Sequence, residues 1–323
     1  MQLDDDVRKL FRLIFCYDEM RTELIKENNR LLAHYTTAET AMKIVKDRCL
    51  WLRNTSVMND YSEVSYGRDV MDPVINSPLG TKIFNILDSL RTDLSKDLIK
   101  RHTGHRGHAR ETVFMSSLCE HDHDDLMGRL SMWRAYGGPV AGVALLFKNT
   151  VITTELEYPL NVMASPVLYG SSKEFAVELE KMVIRLEHER HFLSTLDPGL
   201  IVNVVSTALQ MATLSIKHPG FKEEQEWRLI HRPYEYPSAH VVPKTMTIGG
   251  IPQSIYELPF HNPDRGTLFN LPQLDLKEIL AGIIIGPCLY PETVFRAFHD
   301  ELRAIGFENP IIHVSHIPLR QQW

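Results

Sequence analysis

Glu224 and Glu226 stand two residues apart, with Arg228 at the same interval beyond them. On an extended strand these three side chains share one face, and Gln225, Trp227 and Leu229 share the other. Two carboxylates on one face raise one another's pKa. They can hold a ribose through its hydroxyls, and a carboxylate beside an oxocarbenium-like sugar stabilises its positive charge. The second acid can polarise a hydroxyl or accept the proton of an incoming nucleophile. The plainer reading is an exposed Glu–Arg ladder, which contributes little energy and no chemistry.

Three further groups have residue types that would complete such a site. His34, Tyr35 and Thr36 offer an imidazole, a ring for stacking and a hydroxyl. Ser116 and Ser117 follow Val113-Phe114, where a strand hydroxyl can orient the glutamate of a neighbouring strand. Trp133 and Tyr136 are three residues apart, so a helix presents them on one face. They read either as an aromatic wall for nicotinamide or adenine, or as a core pair closed by the turn at Gly137-Gly138. Asn59-Asp60 to Glu63 reads as helix-capping chemistry. His102, His105 and His108, with His121 and His123, suggest a metal site, but Gly104 and Gly107 argue against the helix it would need. No metal is expected. H-E-x-x-H, P-loop and G-x-S-x-G patterns are absent from the sequence.

The elements that must position these groups alternate irregularly between helix and strand. Residues 3–30 have helix periodicity behind an acidic start. Short strands are expected at 31–35 and 49–52, with a helix at 37–47 between them. One amphipathic helix is expected from Lys82 to Lys100. Strands follow at 112–118 and 140–147, with a helix at 126–136 between them, and another strand near 162–169. A long helix runs from Ser172 to Leu196, and a more apolar one from Leu200 to Ile216. Strands at 224–231, 241–248, 254–261, 282–286 and 311–317 and a helix at 292–305 complete the chain. This order predicts an α+β protein with mixed or antiparallel central sheets flanked by helices. The expected domain plan is an N-terminal helical segment, 1–30, and a single α+β domain, 31–323, with a helical insertion near 171–218.

Bulk properties set the class. The chain has 323 residues, 44% apolar and 24% charged, with a formal net charge of −6. That charge gives no footprint for non-specific nucleic-acid binding. Cys16, Cys49, Cys119 and Cys288 are widely spaced, which suits reduced thiols rather than a disulfide frame or a paired-cysteine zinc site. The first residues have no apolar leader run, and the apolar stretch 281–285 is far too short to span a bilayer. A cytoplasmic protein with no membrane partner is expected. The N-terminal helices offer a surface for homo-oligomer formation.

Taken together, the motifs resemble a widespread, uncharacterised bacterial domain-of-unknown-function family. The matching patterns are His34-Tyr35, Asn59-Asp60 to Glu63, Phe114 to Ser117, Trp133 to Tyr136, Gly142 to Phe147, Glu224 to Arg228, and the tail segments 283–287 and 315–320. A second resemblance is to the ADP-ribosyltransferase superfamily. Glu224-Gln225-Glu226 looks like its Glu-x-Glu motif and Ser116-Ser117 like its Ser-Thr-Ser strand without the threonine. His34 stands where that superfamily has a first-strand arginine or histidine. The resemblance implies an ADP-ribosyltransferase-like core with NAD as substrate and Glu226 as the catalytic acid. Glu224 becomes the acceptor-activating group, and His34, Tyr35, Thr36, Ser116, Ser117, Trp133, Tyr136 and Arg228 line the NAD site.

The function this implies is NAD consumption, by ADP-ribosyl transfer to a macromolecular acceptor or by NAD glycohydrolysis. Toxins and phage-defence effectors use such activities. A non-enzymatic ligand-binding or regulatory module is the alternative. A metal-dependent hydrolase or nuclease built on the histidine-rich loops is the third.

Overall fold

The computed structural model describes residues 5–57, 62–104, 112–153, 160–261 and 274–318. The Asn59-Asp60 motif and His105 and His108 lie outside them. The chain forms two compact units, one of residues 1–23, 54–113 and 165–223 and the other of residues 24–53, 114–164 and 224–323. Among the described residues no helix is long and apolar enough to cross a membrane.

The first unit is helical. Its helices include Asp5–Ile14, Ser62–Ile75, Pro78–Leu90, Leu94–Gly104, Ser172–His188 and Pro198–Leu214. Their starts follow ordinary capping chemistry. Ser77 and Asp197 each cap a helix whose first residue is proline, and Ser171 and Glu174 form a reciprocal capping box. Leu10, Met71, Ile83, Leu98, Leu179 and Val205 meet in one buried cluster. Gly67 allows the helix Ser62–Ile75 to lie against the backbone of Pro198–Leu214: a Cβ there would sit 2.1 Å from the Thr213 carbonyl oxygen.

Two expected helices in this unit are interrupted. The stretch 82–100 divides at Arg91–Asp93, where Asp93 is left-handed (φ 66°). Asp88 takes both the amide and the hydroxyl of Ser95 across the break. Leu94 and Leu98 still face the core, so the apolar spacing continued through a turn that periodicity does not register. The stretch 172–196 divides at Glu189, after which Arg190–Thr195 forms a separate short helix.

The second unit carries the sheet. In chain order the strands are β1 Leu31–Thr37, β2 Cys49–Asn54, β3 Phe114–His121, β4 Gly142–Lys148 and β5 Val162–Pro166. A two-residue pair in the helical unit, β6 Leu168–Tyr169 and β7 Ile216–Lys217, follows. Then come β8 Glu226–His231, β9 Val242–Ile248, β10 Ile251–Pro259, β11 Leu280–Ile285 and β12 Ile312–Val314. The main sheet runs β12-β11-β4-β1-β3-β2-β10-β9, and β8 pairs with β3 and β5. β11 and β12 are parallel, joined through the helix Pro291–Ala304, while β1, β3, β4, β8, β9 and β10 make antiparallel pairs. The α+β class with a mixed open sheet flanked by helices is therefore as expected from the sequence.

One feature of this sheet bears directly on the candidate site. β1 pairs with β4 along its whole length, from Leu31 opposite Lys148 to Thr37 opposite Gly142. It pairs with β3 only from Leu31 to Ala33, opposite His121 to Cys119. From His34 onward the edge of β1 facing β3 has left the ladder. Two apolar clusters lie on opposite faces: Leu32, Leu118, Leu145 and Trp227 on one, Ala33, Tyr35, Cys119, Trp133 and Ala144 on the other.

Candidate functional site

β3 and β8 set the register of the site. Ser117 lies opposite Arg228 and Cys119 opposite Glu226, so all four point to the same face of the sheet. Ser117 donates its hydroxyl to Glu226 Oε1 over 2.5 Å. Arg228 donates from Nε to Oε1 and from one terminal nitrogen to Oε2, each at 3.0 Å. Glu226 is 6% exposed and Arg228 2%. A forked guanidinium–carboxylate pair with an added hydroxyl is a strong, geometrically fixed arrangement, and each partner needs the other once both have left water.

His34 meets this group through the backbone. Its Nδ1 lies 2.9 Å from the Ser117 carbonyl oxygen, at the point where β1 and β3 separate. A carbonyl partner requires the proton on Nδ1, which leaves Nε2 with its lone pair. Burial lowers the His34 pKa, partly offset by that hydrogen bond. The imidazole is thus held neutral and oriented. Alternation along β1 puts His34 and Thr36 on the face of Leu32 and Leu118, opposite to the face of Ser117 and Glu226. Ser116 is buried on the His34 face, opposite Leu229 in the register.

The expected strand face holding both glutamates does not form. Glu224 ends a 3₁₀ turn, Pro219–Glu224, and Gln225 is left-handed (φ 46°), so β8 begins only at Glu226. Arg129 explains this. It donates to the Glu224 carbonyl and to Gln225 Oε1, both at 2.9 Å, and to the Glu120 carbonyl. Arg30 reaches the same Gln225 oxygen and also pairs with Asp122. The middle residue of the Glu-x-Glu motif is the one that is clamped.

Tyr35 and Trp133 form a core pair rather than an aromatic wall. Their rings meet edge to face at 4.8 Å, and they are 6% and 3% exposed. Their polar tips are used locally: Tyr35 Oη accepts from the Arg129 amide, and Trp133 Nε1 donates to the Met127 carbonyl. Burial pushes the Tyr35 phenol up to about 12. Tyr136 packs, partly buried, against the same cluster. The helix bearing them begins at Leu130, later than expected. Asp125 instead accepts from the amides of Met127 and Gly128, and Gly128 is left-handed.

Sequence reasoning missed Arg129, Gln225, Arg30 and the buried Trp227 Nε1–Glu120 bond of 3.0 Å. A lone arginine between an acidic loop and a helix is the only local signal for Arg129. The buried His121 ring contacts the Asp125 carbonyl at 2.8 Å, and it belongs to no cluster of metal-ligand atoms among the described residues. Asp47, Cys49 and Glu257 bring ligand-type atoms within 4.8 Å of one another, but the Lys244 ammonium already occupies the group, 2.6 Å from Glu257 and 3.8 Å from Asp47.

Residues 132–229 match the model of a family described as a protein of unknown function (DUF2971). The expected resemblance to a domain-of-unknown-function family is therefore correct. The match includes Trp133, Tyr136, β4 and Glu224 to Arg228, while His34 and Ser117 fall before it. No curated protein matches the chain. No solved structure matches it either.

Proposed function

We infer that this protein is an NAD-consuming enzyme with an ADP-ribosyltransferase-like core, transferring ADP-ribose to a macromolecular acceptor or to water. The observation that carries this reading is the Ser117–Glu226 hydrogen bond, made beside the opening between β1 and β3 where His34 reaches Ser117. His34 reaches the Ser117 carbonyl from the opposite face of the sheet, and Ser117 reaches Glu226 on its own face. In the reaction the nicotinamide–ribose bond breaks and its electron pair leaves with nicotinamide. The ribose becomes cationic at the broken bond, and Glu226, oriented by Ser117, stabilises that charge. His34, on the opposite face, acts through its Nδ1 bond to the Ser117 carbonyl, which fixes the strand that carries the serine. Glu224, outside the strand, takes the proton of the attacking hydroxyl. Defence against phage or action as a toxin would suit such chemistry.

A second reading, a non-enzymatic ligand-binding or regulatory module, is favoured by one observation. Glu226 is fully engaged by Arg228 through both oxygens, as a structural ion pair would be. Nicotinamide release by wild type and Glu226→Gln, with lysate as acceptor and with melting curves as a fold control, separates the two. Release that vanishes in a folded variant supports the enzyme. Absence of release from wild type under every acceptor condition transfers the conclusion to the binding module.

A further inference from the structure

The helical unit holds a cavity of about 80 Å³, between the start of the helix Cys16–Glu27 and the helices Ser172–His188 and Pro198–Leu214. Leu179, Met182, Leu209 and Met211 give it an aliphatic and thioether wall. Cys16, Tyr17, Asp18, Ser165, Glu178 and Ser215 add polar groups to the lining, and two buried atoms among them have no hydrogen-bond partner among the described residues. Ser215 is 3% exposed, and its buried Oγ has no hydrogen-bond partner among the described residues. Glu178 gives Oε1 to Lys181 Nζ at 2.7 Å, whereas its buried Oε2 has no partner among the described residues.

Bare polar atoms in an apolar wall carry a desolvation penalty that a donor-bearing guest relieves. Lys181 already supplies the counter-charge of Glu178, so Oε2 lacks a hydrogen rather than a cation. The volume exceeds the roughly 10–15 Å³ needed for one water and falls below the roughly 150 Å³ of a cavity that admits benzene. We propose that this slot binds a short aliphatic chain ending in an uncharged hydrogen-bond donor, a primary alcohol being the simplest case. The hydroxyl donates to Glu178 Oε2, Ser215 Oγ makes the second polar contact, and the chain lies against Met182 and Leu209. This site is independent of the NAD reading.

The test uses the full chain with ¹³C-labelled methionine methyls, titrated with ethanol, its isomer dimethyl ether, and acetate. The alcohol is expected to shift the Met182 and Met211 signals saturably, the ether to bind at least about tenfold more weakly because it lacks the donor, and acetate to leave both signals in place. Ser215→Ala should weaken the alcohol several-fold, and Ala208→Leu, which fills the slot, should abolish it. Met71, in the same helical core but outside the slot, reports retention of the fold, and where Ala208→Leu fails to fold, the alcohol–ether comparison and Ser215→Ala decide. Equal affinity for alcohol and ether, or no saturable shift at either methionine, overturns the proposal and leaves a slot for water alone.

Discussion

Ser117 and Glu226 are joined diagonally across the β3–β8 ladder by a hydrogen bond of 2.5 Å, with Ser117 two residues from Cys119, the direct partner of Glu226. The serine can act on chemistry only through the glutamate it orients. Ser117→Ala should therefore lower kcat for nicotinamide release by about ten- to a hundredfold with little change in KM, while stability falls by about 1 kcal/mol. Steady-state kinetics beside urea unfolding check this. A change confined to KM would remove Ser117 from the positioning role.

The Glu226–Arg228 pair makes a separate prediction about stability. Removing one partner leaves the other charge buried and alone, so Glu226→Ala should cost roughly 3–5 kcal/mol. Glu226→Gln, which keeps the shape and an acceptor, should cost less. The double variant Glu226→Gln/Arg228→Met should recover most of the loss, because an apolar side chain replaces the orphaned guanidinium. Chemical denaturation of the set gives the coupling, and additive effects would mean that the pair does not act as a unit.

Arg129 holds the turn before β8 by bonding Glu224 and Gln225, residues far from it in sequence. Arg129→Lys keeps the charge and loses the fork, so it should act almost like Arg129→Ala. Each is expected to destabilise the protein by about 1.5–3 kcal/mol. Amide exchange should quicken at Gln225 and Glu226 in both. Unchanged protection there would show that the turn forms without the clamp.

Three histidines make stability depend on pH. Burial lowers the pKa of His34, His121 and His231 below the ordinary 6.5. As the pH falls below that value the unfolded chain takes up protons that the folded one does not, so stability is lost. The loss continues until the lowered folded values are passed, and above about pH 7 these groups contribute no slope. His231 donates from Nδ1 to the Asn161 carbonyl at 2.8 Å, a bond that the amide nitrogen of asparagine can mimic. Urea midpoints at pH 7.5 and 5.5 should differ less for His231→Asn than for wild type. An identical difference would exclude His231 from the acid response.

Local patterns in the chain were enough to read the class and most of the elements. Alternation and helix periodicity are local properties, so the helix Ala38–Asp47 with its Thr37 cap and the strands carrying Ser117 and Glu226 were readable from neighbours a few residues apart. The resemblance to a family of unknown function was legible from motif order, although the family model covers only residues 132–229. What those motifs meet depends on pairings across the fold. Placing Ser117 opposite Arg228 depends on a register between strands more than a hundred residues apart, and a shift of one residue would turn every side chain to the other face. The same long-range pairing put His34 on the opposite face and let it reach Ser117 through a carbonyl. Glu224 left the strand because Arg129, a partner no local pattern announces, holds the backbone in a turn that Gln225 completes with a positive φ.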